Sequence, residues 1–302
     1  MPLAINPHKY QLDHICLAAL TCGDQSKKPL LCLHGYLDNA ASFLPLMQVP
    51  DILEDYYIIA LEWPGHGYSD HRPTGAHYHF FDYVSDLLAL FTQHDWPAID
   101  IVGHSMGAMV ASAFAAAFPE KIKSLTLLDA FGFINAPEVN TTEQLRKGLL
   151  SRIKPPQARR TFTEQAAIKA RILASDLTIS DASMLIKRAI IATTDKYDGT
   201  SCDKVYSKQY HWRSDSRLRT LSPYRLSSKQ AQQLFSDIKC PIQLIYGDKG
   251  MNMVTEGLTL FAVNEHNLTI AKLKAGHHVH MEKAAECARL LNQFFSKIKT
   301  SV

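Results

Sequence analysis

The pentapeptide Gly103-His104-Ser105-Met106-Gly107 constrains this 302-residue chain more than any other stretch. It follows the β-branched run Ile99-Asp100-Ile101-Val102 and precedes the small, apolar run from Ala108 to Phe118. A strand therefore enters a sharp turn and a helix leaves it, with Ser105 at the apex. Side chains two residues either side of that apex would collide with strand and helix, which is why glycine stands at both places. The turn pushes Ser105 towards a strained backbone conformation and lifts its Oγ clear. A helix N-terminus then lies beneath any negative charge that develops beside it. The five letters alone are a weak signal, and the strand-before, helix-after context gives them weight.

Around this turn the chain alternates strands and helices. Residues 11–22 read as one or two opening strands. Leu30 to Leu33 and Tyr56 to Leu61 are short apolar runs typical of a buried parallel sheet, ending at His34-Gly35 and at Glu62-Trp63-Pro64-Gly65-His66-Gly67-Tyr68-Ser69. Phe80 to His94 has helical period, with Phe81, Val84, Leu87, Leu88 and Phe91 on one face. Ser124 to Leu128 is a further strand, closed by Asp129. The pattern predicts an α/β fold with a mostly parallel central sheet and helices on both faces, and ligands in such sheets bind beyond the carboxyl ends of the strands. The motifs fall at those ends.

From Phe131 to about Lys239 no buried-strand signal appears, only helix-like stretches such as Glu164 to Ala174 and Asp181 to Thr193, punctuated by Pro155-Pro156 and Ser222-Pro223. The strand pattern resumes with Ile242 to Tyr246, then a helix over Val254 to Val263 and a last strand, Leu268 to Leu273, ending at Ala275-Gly276-His277. Glu282 to Ile298 closes the chain as an amphipathic helix. The expected organisation is a core over 1–130 and 240–302, with a helical cap inserted over 131–239. That insertion carries 19 Lys and Arg against 10 Asp and Glu, although the whole chain is only +3. A basic insertion is either a solvated helical face or a steering surface for an anionic substrate. Its most concentrated stretch is Trp212 with Arg213, Arg217 and Arg219.

The remaining features exclude several classes. No apolar run approaches the length of a membrane span, and Ile15 to Cys22 lacks the basic leader of a signal peptide. Aromatic and basic residues are not interleaved as in nucleic-acid surfaces. The six cysteines (16, 22, 32, 202, 240 and 287) show no clustered framework and read as free, mostly buried thiols of a cytoplasmic protein. His277-His278-Val279-His280 invites a metal reading, but Glu282-Lys283 supplies no further ligands at close spacing. The expectation is no metal and no cofactor. Oligomeric state is not legible.

His34-Gly35, Gly65-His66-Gly67-Tyr68-Ser69, Gly103-His104-Ser105-Met106-Gly107 and Gly276-His277, in that order, resemble the α/β-hydrolase family over essentially the whole chain. Residues 31–40 and 212–219 look like its serine-hydrolase-like subgroup. A serine hydroxyl needs a base, and His277 is the candidate; the resemblance puts the general base at this position. It also implies an oxyanion hole from the backbone N–H groups of Tyr36 and Met106, with Asp38 and Asn39 shaping that loop. His278 is expected to point elsewhere, His280 to open a helix, His66 to serve a structural turn, and His77 and His79 to lie at the surface.

The acid departs from the family's pattern. Relatives place an aspartate four positions into a Gly-x-x-Asp turn, and here the turn reads Gly247-Asp248-Lys249-Gly250. Asp248 comes two residues early. Asp129, at the end of the strand after the Ser105 helix, is the preferred candidate, with Asp248 the alternative. The resemblance implies a carboxylic ester hydrolase working through an acyl-enzyme on a small acyl substrate, anionic in the steering version. Thioester or carbon–carbon hydrolysis by the same residues, or a non-catalytic ligand-binding relative, are the other readings.

Overall fold

The computed structural model describes residues 4–50, 55–153, 161–193, 208–261 and 267–299. Cys202 and Pro155-Pro156 lie outside them. Eight strands form one sheet: β1 (Ile5–Gln11), β2 (Cys16–Cys22), β3 (Lys28–Leu33), β4 (Tyr56–Leu61), β5 (Ile99–His104), β6 (Ile122–Leu128), β9 (Ile242–Gly247) and β10 (Leu268–Leu273). Their order is β1-β2-β4-β3-β5-β6-β9-β10. β1–β2 and β2–β4 pair antiparallel and every other pair is parallel.

The central strands β3, β4, β5 and β6 are buried along nearly their whole length because both faces are covered. On one face lie α2 (Phe80–His94) and α3 (Met106–Ala117), whose Leu87, Phe91, Val110 and Phe114 enter the larger core cluster. On the other lie α1 (Leu44–Met47) and α10 (Ala284–Lys299), through Leu46, Leu291 and Phe295. The opening differs from expectation. Two full strands lie at 5–11 and 16–22, and the first is an edge strand with four exposed positions in succession, so it carries no apolar signature. Phe81 leaves the buried face expected of α2 and is 45% exposed, lining the cavity described below.

Between β6 and β9 run α4 (Thr141–Arg152), α5 (Glu164–Leu173), α6 (Ile179–Ala189), strands β7 (Ile190–Ala192) and β8 (Tyr210–Trp212), and α7 (Ser228–Ser236). β7 and β8 pair antiparallel; three residues each are too few to show a period in sequence. α7 packs on α3, with Ala231 and Phe235 in the larger core cluster. After β9 come α8 (Asn252–Leu260) and, beyond β10, α9 (Val279–Glu282).

The insertion's arginines hold it to the core. Arg188 places Nε 2.5 Å and Nη2 3.1 Å from the two oxygens of the fully buried Glu62. Arg217 donates to the carbonyls of Arg72, Pro73 and Ala76 and pairs with Asp215, which also accepts from the Tyr78 hydroxyl. Arg188 and Arg217 are thus fastenings between this segment and the core.

Candidate active site

Ser105 sits between β5 and α3 with φ 51° and ψ −117°, and its N–H donates to the Leu128 carbonyl at 3.1 Å. This strained geometry is tolerated because Gly107 lets the helix start pass close beneath β3: a Cβ there would lie 2.1 Å from the Leu33 oxygen. Met106 opens α3, so its N–H belongs to the first turn, where helical N–H groups lack intrahelical partners. Tyr36 lies in the loop after β3, its hydroxyl donating to the Leu218 carbonyl at 3.0 Å. That loop is held by two buried histidines. His34 Nε2 accepts from Trp63 N–H, and His66 Nε2 accepts from Leu37 N–H at 3.2 Å. Burial, with His34 nearby, pushes His66 down to about 3, so it is a neutral ring that braces the turn.

His277 follows β10, and its Nδ1 donates to Asp129 Oδ2 at 2.6 Å. Asp129 directly follows β6 in a left-handed conformation, fully buried, and its carboxylate also accepts from Gly247 N–H at 3.0 Å and Met251 N–H at 2.9 Å. With Nδ1 carrying the proton, Nε2 is left as the acceptor. The structure brings Asp129, and not Asp248, to His277. Asp248 is exposed and accepts instead from the Ala275 N–H at 3.0 Å, supporting the start of the loop that carries His277.

Ser105, His277, Tyr36 and Met106 line one cavity of about 1110 Å³. Its walls are largely apolar, including Tyr78, Phe80, Phe133, Ile134, Leu226 and Met253. Four cations also line it: Arg171, which pairs with Asp38, and Arg219, Arg225 and Lys249; its carboxylates, Asp38 and Asp176, are engaged with Arg171 and His278. His79, expected at the surface, lines the cavity too; it precedes α2, and its N–H donates to Asp82 at 3.3 Å. Asn39 caps the turn 40–43 and donates to the Leu185 carbonyl, joining the Tyr36 loop to α6. His280 lies within α9, fully buried against Phe43, and burial pushes it down to about 3.

Asp38, His104 and His278 bring possible metal-binding atoms within 4.8 Å of one another. Arg171, however, lies against both Asp38 and His278, so the cluster already contains its own cation and a divalent ion would meet a like charge. Arg171 and Asp176 escaped sequence reasoning. Their partners are more than a hundred residues away in the chain, and no local spacing signals such pairs.

The α/β hydrolase fold family matches residues 28–284. The chain is 28% identical to the serine hydrolase-like protein of Danio rerio over 285 residues, covering 90% of this chain and 82% of that one. It is 26% identical to serine hydrolase-like protein 2 of Homo sapiens over 295 residues, covering 92% and 90%. A solved hypothetical protein from Pseudomonas aeruginosa PAO1 superposes with a TM-score of 0.81 at 30% identity, covering 96% of this chain and 99% of that chain. Among the described residues no helix is long and apolar enough to cross a membrane.

Proposed function

Because this chain belongs to the α/β-hydrolase fold family, in its serine-hydrolase-like subgroup, we propose that it hydrolyses carboxylic esters through an acyl-enzyme on Ser105. The observation that carries this reading is the 2.6 Å hydrogen bond from His277 Nδ1 to the buried Asp129, on the cavity that Ser105 also lines. His277 Nε2 takes the Ser105 hydroxyl proton as Oγ attacks the acyl carbonyl. Charge on the carbonyl oxygen is met by the N–H groups of Tyr36 and Met106. The proton passes to the departing alkoxide, and water, deprotonated by the same nitrogen, releases the acid. Asp129 fixes the tautomer and balances the imidazolium without taking the proton. The segment from 131 to α7 serves as the cap that excludes water from this site.

The apolar walls suit an acyl chain, and Arg219, Arg225 and Lys249 favour a substrate that also bears negative charge. Five described cysteines are free thiols, which supports a reducing, cytoplasmic setting. A fluorophosphonate probe tests the reading. It should label the wild-type chain and not Ser105→Ala, while the wild type turns over acyl esters; a chain that neither labels nor hydrolyses is a ligand-binding relative instead. Anionic esters should gain kcat/KM at low salt over neutral ones of equal length, and no such gain removes the anionic preference.

A further inference from the structure

His278 follows the proposed base and is buried where His277 is partly open. Its Nδ1 donates to Asp176 Oδ1 at 2.6 Å, its backbone N–H donates to Asp176 Oδ2 at 3.0 Å, and its Nε2 lies 3.4 Å from Asp38 Oδ2. Asp38 also pairs with Arg171, so its carboxylate sits between two basic groups. Three pieces of chain meet here. Asp38 comes from the loop after β3, His278 from the loop after β10, and Arg171 and Asp176 from α5 and the turn that follows it.

The loop carrying His277 is anchored residue by residue. Asp248 accepts from Ala275 N–H at 3.0 Å, Glu282 from Gly276 N–H at 2.9 Å, and His104 Nε2 donates to the His277 carbonyl at 3.0 Å. Asp176 completes the series at His278, and it is the anchor supplied by the segment inserted between β6 and β9.

We infer that His278 and Asp176 are positioning residues for His277, and that their ion pair makes docking of the inserted segment a condition for a correctly placed base. This rests on the serine-hydrolase reading above. A carboxylate that holds both the ring and the backbone N–H of residue 278 fixes the chain direction leaving residue 277. Displacements near 1 Å at such a group cost on the order of a hundredfold in rate. Were the segment to swing away as a lid, Asp176 would leave with it and His277 would lose the anchor on its C-terminal side.

The groups facing His278 are Asp38, Arg171, Asp176 and the rings of His104, His277 and His280. Burial alone would lower its pKa, but the hydrogen bonds to Asp176 and Asp38 outweigh burial and hold it at about 9. Burial pushes His104 and His280 the other way, so they stay neutral. Below that pH the cluster sets two cations, Arg171 and His278, against two carboxylates; above it, one cation remains.

The test compares wild type, Asp176→Asn and His278→Gln on one acyl ester, after wild type has been shown to hydrolyse it and to label at Ser105. Failure of that first step removes the serine-hydrolase reading itself. With an active wild type, both variants should lose roughly ten- to a hundredfold in kcat, with KM within about threefold of wild type. The downfield proton resonance of His277 Nδ1 should move or broaden, and the alkaline edge of the Asp176→Asn kcat profile should fall to lower pH. Variants with wild-type kcat, profile and resonance, or with KM alone changed, overturn the inference. Should neither variant fold, the wild-type profile decides. A kcat that declines as pH rises through about 9 supports the ion pair's role, and a flat profile to pH 10 overturns it.

Discussion

A Cβ on Gly250 would lie 2.0 Å from Asp129 Oδ1. The position where the family's pattern puts its acid is therefore the space that the Asp129 carboxylate fills from the neighbouring strand. Only one of the two residues can carry a side chain. Gly250→Ala should push Asp129 away from His277 and from the N–H groups of Gly247 and Met251. The expected result is a fall in kcat of roughly tenfold or more. A variant with wild-type kcat would mean that the carboxylate's placement does not matter.

Asp129→Asn and Asp248→Asn separate the two candidate acids. Asparagine at 129 cannot hold the Nδ1-protonated tautomer, and kcat should drop by about 10⁴. Asparagine at 248 keeps an oxygen for the Ala275 N–H, so kcat should stay within about threefold. Steady-state kinetics on one ester suffice, and the reverse ranking would transfer the acid's role to Asp248.

Glu62 and Arg188 tie the inserted segment to the end of β4. Glu62 is fully buried and also accepts from Ala40 and Tyr68 N–H groups. Arg188→Met strands that carboxylate, and such a loss costs about 3–5 kcal/mol. Denaturant unfolding should show it as a lower midpoint. Glu62→Gln combined with Arg188→Met should recover part of the loss, because the buried charge is gone as well.

Stability should also depend on pH through His278. Its pKa in the fold is about 9, above the ordinary histidine value near 6.5. A raised pKa means that the folded state binds the proton more tightly. The stabilisation is complete below about 6.5 and is lost as pH rises to about 9, amounting to a few kcal/mol. Unfolding midpoints at pH 6.5 and pH 9.5 should therefore differ in wild type, and the difference should shrink in Asp176→Asn, where of the two carboxylates only Asp38 still faces the ring. A wild type more stable at the higher pH contradicts the sign.

What sequence reasoning missed has a common cause. In sequence Glu62 is only part of a turn, and Arg171, Arg188 and Arg217 are only surplus positive charge. Each acquires its role from a partner 126 residues or more away, or from carbonyls 141–145 residues away. β1, an exposed edge strand, and the three-residue strands β7 and β8 lack an apolar period and so carry no strand signature in sequence.

The sequence by itself determined the parallel strands of the sheet, the Ser105 turn and the strand-end placement of His34-Gly35 and His277, because buried parallel strands and a strand–turn–helix need local apolar runs and local glycines. It also narrowed the acid to two aspartates, from a glycine where a side chain was expected. Which of them reaches His277 was decided by tertiary structure: β6 and β9 lie side by side, and the Asp129 carboxylate enters the gap that Gly250 leaves open. The same holds for the cluster around His278, where burial and proximity, neither of them written in local spacing, turn scattered charges into one network.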